Sequence, residues 1–145
     1  MSLYSLRAAP FNLLFDSYVV AKVKSKNYFG WSVDSAPNTG GAKILIEPSK
    51  MSIPIYDPLV STGVTVVIEL IELSSYQKTG GSAIDSYYVE YSVANSNSWT
   101  CLQGDVNNFT LSSRLTVPNL VIGQIYSFRA KAHNINGWGL LSEPL

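Results

Sequence analysis

Tyr126-Ser127-Phe128-Arg129-Ala130-Lys131-Ala132-His133-Asn134-Ile135-Asn136-Gly137-Trp138-Gly139 decides the reading of this chain. Its first half alternates. Tyr126, Phe128, Ala130 and Ala132 fall on one face of an extended segment, and Ser127, Arg129, Lys131 and His133 on the other. The run then breaks into a Gly-Trp turn. The same turn occurs earlier as Asn27-Tyr28-Phe29-Gly30-Trp31-Ser32, at an offset of 134 − 27 = 107, and Ser35 and Ser142 keep it (142 − 35 = 107). A β-rich run precedes each copy, Tyr18–Lys24 before the first and Tyr126–Ala132 before the second. A repeat of about one small β-domain implies one full β-module preceded by the tail of another.

Outward from that stretch, nothing carries apolar residues at sustained helical spacing. Short alternating runs bounded by Gly, Pro, Asn and Ser dominate, which is the pattern of an all-β sandwich or barrel. Pro48, Pro54 and Pro58 follow Ile44-Leu45-Ile46 and predict a linker, then an edge strand that proline keeps from pairing inward. Strands are predicted over Val64–Leu73, with Ile68 and Leu70 opposite Glu69 and Ile71, and over Ile84–Ser92, with Tyr87, Val89 and Tyr91 on one face. Asn95–Ser98 turns into Trp99-Thr100-Cys101-Leu102, Phe109–Val117 is a further strand, and Trp138–Leu145 closes the set. The count is about seven strands.

Composition narrows the function classes. Charged residues make up 14% and the net charge is zero, so no surface offers the counterion release that nucleic-acid binding needs. No apolar stretch reaches membrane-spanning length, and no polybasic run suits a membrane surface. Cys101 is the single cysteine, which excludes an intrachain disulfide and leaves the compartment open. Met1–Arg7 lacks the pattern of a secretory leader, and the half-module at the front favours an excerpt from a longer secreted chain over a cytosolic protein.

Four motifs, in order, resemble the fibronectin type III domain. They are Gly80-Gly81-Ser82-Ala83-Ile84 through Tyr91, then Trp99, then Leu120 through Asn134 with Tyr126, and Gly137-Trp138-Gly139 with Ser142. They are similar to that family's double glycine before strand C, its C′ tryptophan, its tyrosine corner on strand F and its F–G hairpin. The resemblance implies an immunoglobulin-like β-sandwich over residues 48–145. It makes residues 1–47 the E, F and G strands and exit linker of a preceding repeat. It also implies that the Tyr126 hydroxyl bonds backbone near Leu120. Two positions depart: Leu70 stands for the strand-B tryptophan, and Val19 stands at the tyrosine-corner position of the first copy, with Tyr18 one place early. The paired Gly-Trp repeats are similar to tandem arrays in large surface or secreted proteins.

Catalytic chemistry finds no footing. His133 faces outward beside Arg129 and Lys131, and reads as a strand-surface residue. Cys101 reads as a small apolar residue sharing the Trp99 face. Gly40-Gly41 and Gly80-Gly81 lack the strand–helix setting of a phosphate loop and read as turns. No carboxylate pair, metal-ligand spacing or Arg-Gly-Asp triplet is present, so no enzyme, metal or cofactor is expected. Asn108-Phe109-Thr110 fits the N-glycosylation pattern, with a plain turn ahead of a strand as the alternative for Asn108.

The loops at one end of the sandwich, Ser74–Ser82 and Asn134–Trp138, offer candidate binding residues in Tyr76, Gln77, Lys78, Asn134, Asn136 and Trp138. The structural alternative is that Asn134 and Gly137 serve the turn, and Trp31 and Trp138 cover core or inter-domain surface. The expected function is a non-enzymatic interaction and spacer module of a tandem array, extracellular, in adhesion or a surface scaffold. Its rivals are an intracellular cytoskeletal or ciliary docking module and an accessory domain of a larger enzyme. Expected partners are proteins: neighbouring repeats, or a chain, a second copy included, that completes the partial N-terminal sandwich. No nucleic acid and no membrane insertion are expected.

Overall fold

Runs of β-branched and aromatic residues cut by Gly, Pro and Asn favour short extended segments that pair in antiparallel fashion. The computed structural model describes residues 3–94, 96 and 98–145; Met1, Ser2, and Asn95 and Asn97 of the expected 95–98 turn lie outside the described residues. The chain divides into two units, Met1–Leu45 and Ile46–Leu145.

Among its described residues the C-terminal unit holds seven strands, β3 (Ile55–Tyr56), β4 (Val66–Glu69), β5 (Ile84–Val93), β6 (Thr100–Gln103), β7 (Arg114–Val117), β8 (Tyr126–Asn134) and β9 (Gly137–Trp138). They form a three-stranded sheet in the order β3-β4-β7 and a four-stranded sheet in the order β6-β5-β8-β9, antiparallel throughout. The expected edge strand is β3, set between Pro54, which is buried, and Pro58, which is exposed. Ile68, Leu70, Leu115 and Val117 from one sheet meet Tyr87, Val89, Phe128, Ala130 and Ala132 from the other in a single core. Leu70 is buried there.

Three strands are shorter than the sequence predicts. Val64–Leu73 keeps regular pairing only over Val66–Glu69, Phe109–Val117 only over Arg114–Val117, and Trp138–Leu145 only at Trp138, the second residue of β9. The reason is shared: the backbone goes on bonding beyond each ladder, but irregularly. Leu70 N donates to Ser113 O, Tyr87 N to Thr110 O, and Ser142 N to Ala130 O. An apolar run reports which face is buried, not how far a ladder stays in register.

The tyrosine corner forms as expected. Val121 N donates to the Tyr126 hydroxyl at 3.0 Å, one residue beyond Leu120, while the Tyr126 ring packs on the core and against Tyr91.

The N-terminal unit departs further from expectation. It holds a helix, α1 (Leu3–Arg7), a two-strand pair, β1 (Lys26–Asn27) with β2 (Gly30–Trp31), and one bridge, Tyr18 to Lys43. The long strand expected at Tyr18–Lys24 is not regular. Side chains take the place of backbone acceptors: Ala21 N donates to Asn38 Oδ1, Val23 N to Ser35 Oγ and Ser25 N to Ser32 Oγ. In the C-terminal unit Ala130 N likewise donates to Ser142 Oγ, but β5 pairs along the other edge of β8 and keeps that strand regular.

The 107-residue repeat is a repeat of hydrogen bonds. Ser35 N to Val23 O and Val23 N to Ser35 Oγ (2.9 and 3.1 Å) recur as Ser142 N to Ala130 O and Ala130 N to Ser142 Oγ (2.7 and 3.0 Å). Asn27 pairs with Gly30 and Lys26 with Trp31, as Asn134 pairs with Gly137 and His133 with Trp138.

Tyr126→Phe removes the corner hydrogen bond and leaves the ring. It should cost about 1 kcal/mol, read as a lowered urea midpoint at unchanged slope; an unmoved midpoint would rule out a stabilising corner.

Candidate functional site

Extended residues at a strand–turn junction can bond whatever lies beside the turn, and here that neighbour is the chain's own segment. The Ser74–Ser82 loop and the Asn134–Trp138 turn hold residues 46–50. Ile46 N donates to Gly80 O, and Ser49 N to Lys78 O, both at 2.9 Å. Asn134, fully buried, donates through Nδ2 to Ile46 O at 2.8 Å and Thr79 O at 2.7 Å. Asn136 adds Nδ2 bonds to Ile46 O and Ser82 Oγ, each 3.1 Å, and its own N–H donates to Asn134 Oδ1.

Two glycines let this segment lie so close. A Cβ on Gly80, whose φ is +68°, would stand 2.1 Å from Ile46 O, and one on Gly139 would stand 2.4 Å from Pro48 O.

The candidate residues therefore separate. Asn134 and Asn136 lie beneath the segment and bond it. Gln77 and Trp138 line a cleft of about 260 Å³ with Ile46, Pro48, Lys50 and Leu140. Lys78 takes part through its carbonyl, which also accepts from Ser49 Oγ at 3.0 Å. Tyr76 stays 43% exposed, its carbonyl accepting from Gly81 N.

A second assembly covers the outer face of the four-stranded sheet. The Arg129 guanidinium lies 3.8 Å from the Trp99 ring centre and donates through Nε to Glu90 Oε1. Tyr88 donates its hydroxyl to Glu90 Oε2 at 2.6 Å. Lys131 Nζ sits 4.8 Å over the Tyr88 ring and 5.1 Å over Trp138. His133 lies between Trp138 and Phe109, with ring centres 4.6 and 4.7 Å away, and its Nδ1 is 2.6 Å from Asp85 Oδ1. Partial burial, and then the Glu90 carboxylate, push the Tyr88 phenol above its ordinary range and keep it a donor.

The sequence placed Arg129, Lys131 and His133 on this face. It did not reveal that they interleave with Trp99, Tyr88 and Trp138, because that depends on the register of β5 against β8. Period-two spacing of Tyr88 and Glu90 was the available signal. His133 faces outward as read, yet its side chain is only 16% exposed.

Cys101, read as a small apolar residue buried or half-buried on the Trp99 face, is exposed. β6 is an edge strand, so its outer side chains reach solvent. Partial shielding of the thiol, then the Asp105 carboxylate, raise its pKa above the ordinary value. Asn108 stands exposed in the turn where Asn108 N donates to Asp105 O at 3.1 Å. Among the described residues no group of three metal-ligating side chains occurs, and no helix is long and apolar enough to cross a membrane.

Two antiparallel sheets of three and four strands, joined by a tyrosine corner, define an immunoglobulin-like β-sandwich module. The fibronectin type III domain family matches residues 71–145, and the chain belongs to that family. Its domains are modules of protein interaction and spacing, generally without catalysis.

Among solved structures, titin module A71 from human cardiac muscle is 29% identical, covering 68% of this chain and 86% of that one at a TM-score of 0.50. Titin domains A168–A170 are 25% identical at a TM-score of 0.52, with 88% of this chain and 39% of that chain covered. A fourth fibronectin type III domain of human shares the fold, at 18% identity, 74% and 83% coverage and a TM-score of 0.59. No match is found among curated proteins.

Asn134→Ala should destabilise the C-terminal unit by about 2 kcal/mol, since it removes a fully buried amide that donates to the Ile46 and Thr79 carbonyls. Asn134→Asp should cost more, because it sets a carboxylate oxygen against two carbonyls; equal, small losses in chemical denaturation would contradict the clamp. The raised Cys101 pKa leaves less thiolate at neutral pH. Iodoacetamide should therefore alkylate native Cys101 more slowly than the urea-unfolded thiol at pH 7, with the gap closing as pH rises.

Proposed function

We propose that this chain is a non-enzymatic interaction and spacer segment of a tandem fibronectin type III array. In this reading residues 48–145 are a complete module, and residues 1–47 are strands E–G and the exit linker of the repeat before it. The observation that carries it is the hydrogen-bond correspondence at 107 residues, above all Ser35 with Val23 against Ser142 with Ala130. Coverage of 88% of the chain by a segment of several titin domains supports it, because the C-terminal unit alone is 100 of 145 residues, about 69%. The mechanism is geometric: sandwiches joined by proline-bearing linkers space surfaces along the array and offer loops to protein partners.

The array works outside the cell, in adhesion or a surface scaffold. The exposed turn position of Asn108 in Asn108-Phe109-Thr110 supports this placement. Likeness to titin modules favours a second reading, an intracellular structural docking module. Peptide mapping of the native protein separates the two: a glycan on Asn108 is expected for the first, while an unmodified Asn108 beside a reduced Cys101 would favour the second.

Residues 48–145, expressed alone, should unfold in urea as one cooperative transition with near-ultraviolet and fluorescence signals coincident. Loss of that transition when residues 1–47 are removed would overturn the boundary.

A further inference from the structure

An extended segment bonded along one edge leaves alternate backbone groups facing the other. Residues 18–25 are such a segment. Val19, Ala21, Val23 and Ser25 bond across to residues 32–42. The N–H and C=O groups of Val20, Lys22 and Lys24 face the opposite edge, and none has a partner among the described residues. Their counterparts at 107, namely Ser127, Arg129 and Lys131, pair with Ser92, Glu90 and Tyr88 of β5.

We propose that this free edge docks one extended antiparallel strand carrying an acidic residue between two apolar ones. The inference rests on the half-module reading above and names the chemistry of what completes it. Lys22 is the counterpart of Arg129 (129 − 107 = 22), which pairs with Glu90. Lys24 and Lys26 already lie over the Trp31 ring, at 5.7 and 5.6 Å, and Lys24 also reaches Asp34. Lys22 is exposed and has no ion pair among the described residues. The missing countercharge thus falls where a β5-like strand would bring its carboxylate.

On the other face, Val23 is 73% exposed, whereas its counterpart Ala130 is fully buried and paired with Val89. Leu6, Val19, Ala21, Val23 and Ala42 line an apolar groove of about 590 Å³ there. Ala21 and Val23 therefore call for apolar residues on either side of the acid, the pattern of Val89-Glu90-Tyr91. A second copy does not fit. Pairing two of these edges sets Lys22, Lys24 and Lys26 of both chains together, and like charges on facing strands repel.

The probe is a ten-residue peptide with the sequence of Ile84–Val93, added to the full chain. Hydrogen exchange at the Val20, Lys22 and Lys24 amides should slow at least about tenfold as they gain partners. Lys22→Glu should weaken binding about fivefold or more, and a peptide carrying Glu90→Lys should restore it. Unchanged exchange at those amides, or equal affinity for the Lys22→Glu chain, overturns the proposal. A fragment spanning residues 46–117 is tested in parallel. If it alone protects the edge, single-strand docking fails and the half-module reading stands; if neither protects it, both fall.

Discussion

The antiparallel register of β5 on β8 governs both faces of the larger sheet. On the inner face it sets Tyr87, Val89 and Tyr91 against Ala132, Ala130 and Phe128, so large side chains meet small ones at two of the three pairs. On the outer face the same register sets Tyr88 against Lys131 and Glu90 against Arg129. A slip of one residue would turn Glu90 inward and Val89 to solvent. The irregularity between Ile84 and Ser86 belongs to this arrangement. Ile84 and Tyr87 both reach the core although they are three residues apart, and an extra residue in the strand reconciles them. Ser86, buried there, accepts from Thr110 N through its hydroxyl.

Much of this was legible in the sequence, and the reason is parity. Tyr126, Phe128, Ala130 and Ala132 alternate cleanly with polar residues, so their strand and its buried face could be read directly. Tyr126 followed from the family resemblance and found its partner one residue from the expected place. Parity fails where side chains replace backbone acceptors, which is why Tyr18–Lys24 is extended without being a regular strand. It also carries no information between strands. The interleaving of Trp99, Arg129, Tyr88, Lys131 and Trp138 needs a register that no single run encodes.

Asn134 illustrates a further limit. An asparagine in a turn suggests left-handed backbone or adaptable surface chemistry. Here its side chain is fully buried and joins three segments distant in sequence, the turn itself, Ile46 and Thr79. Local sequence contains only the first of these. Asn27 occupies the same place in the earlier copy and accepts from Phe29 N and Gly30 N in the same manner, but it is exposed. The difference between the two copies lies in what surrounds the turn.

The bonded segment at residues 46–50 also bears on how the C-terminal unit carries load. Tension on the chain ahead of Ile46 does not reach β3 first. It meets the Asn134 and Asn136 amides and the Gly80 carbonyl, which hold Ile46 together, and then the Lys78 carbonyl at Ser49. Freed, these five residues reach roughly 17 Å at about 3.4 Å each, less the span they already cover in the folded unit. The entry of the chain into this unit is therefore anchored to the Asn134 turn and the Ser74–Ser82 loop before the first strand begins.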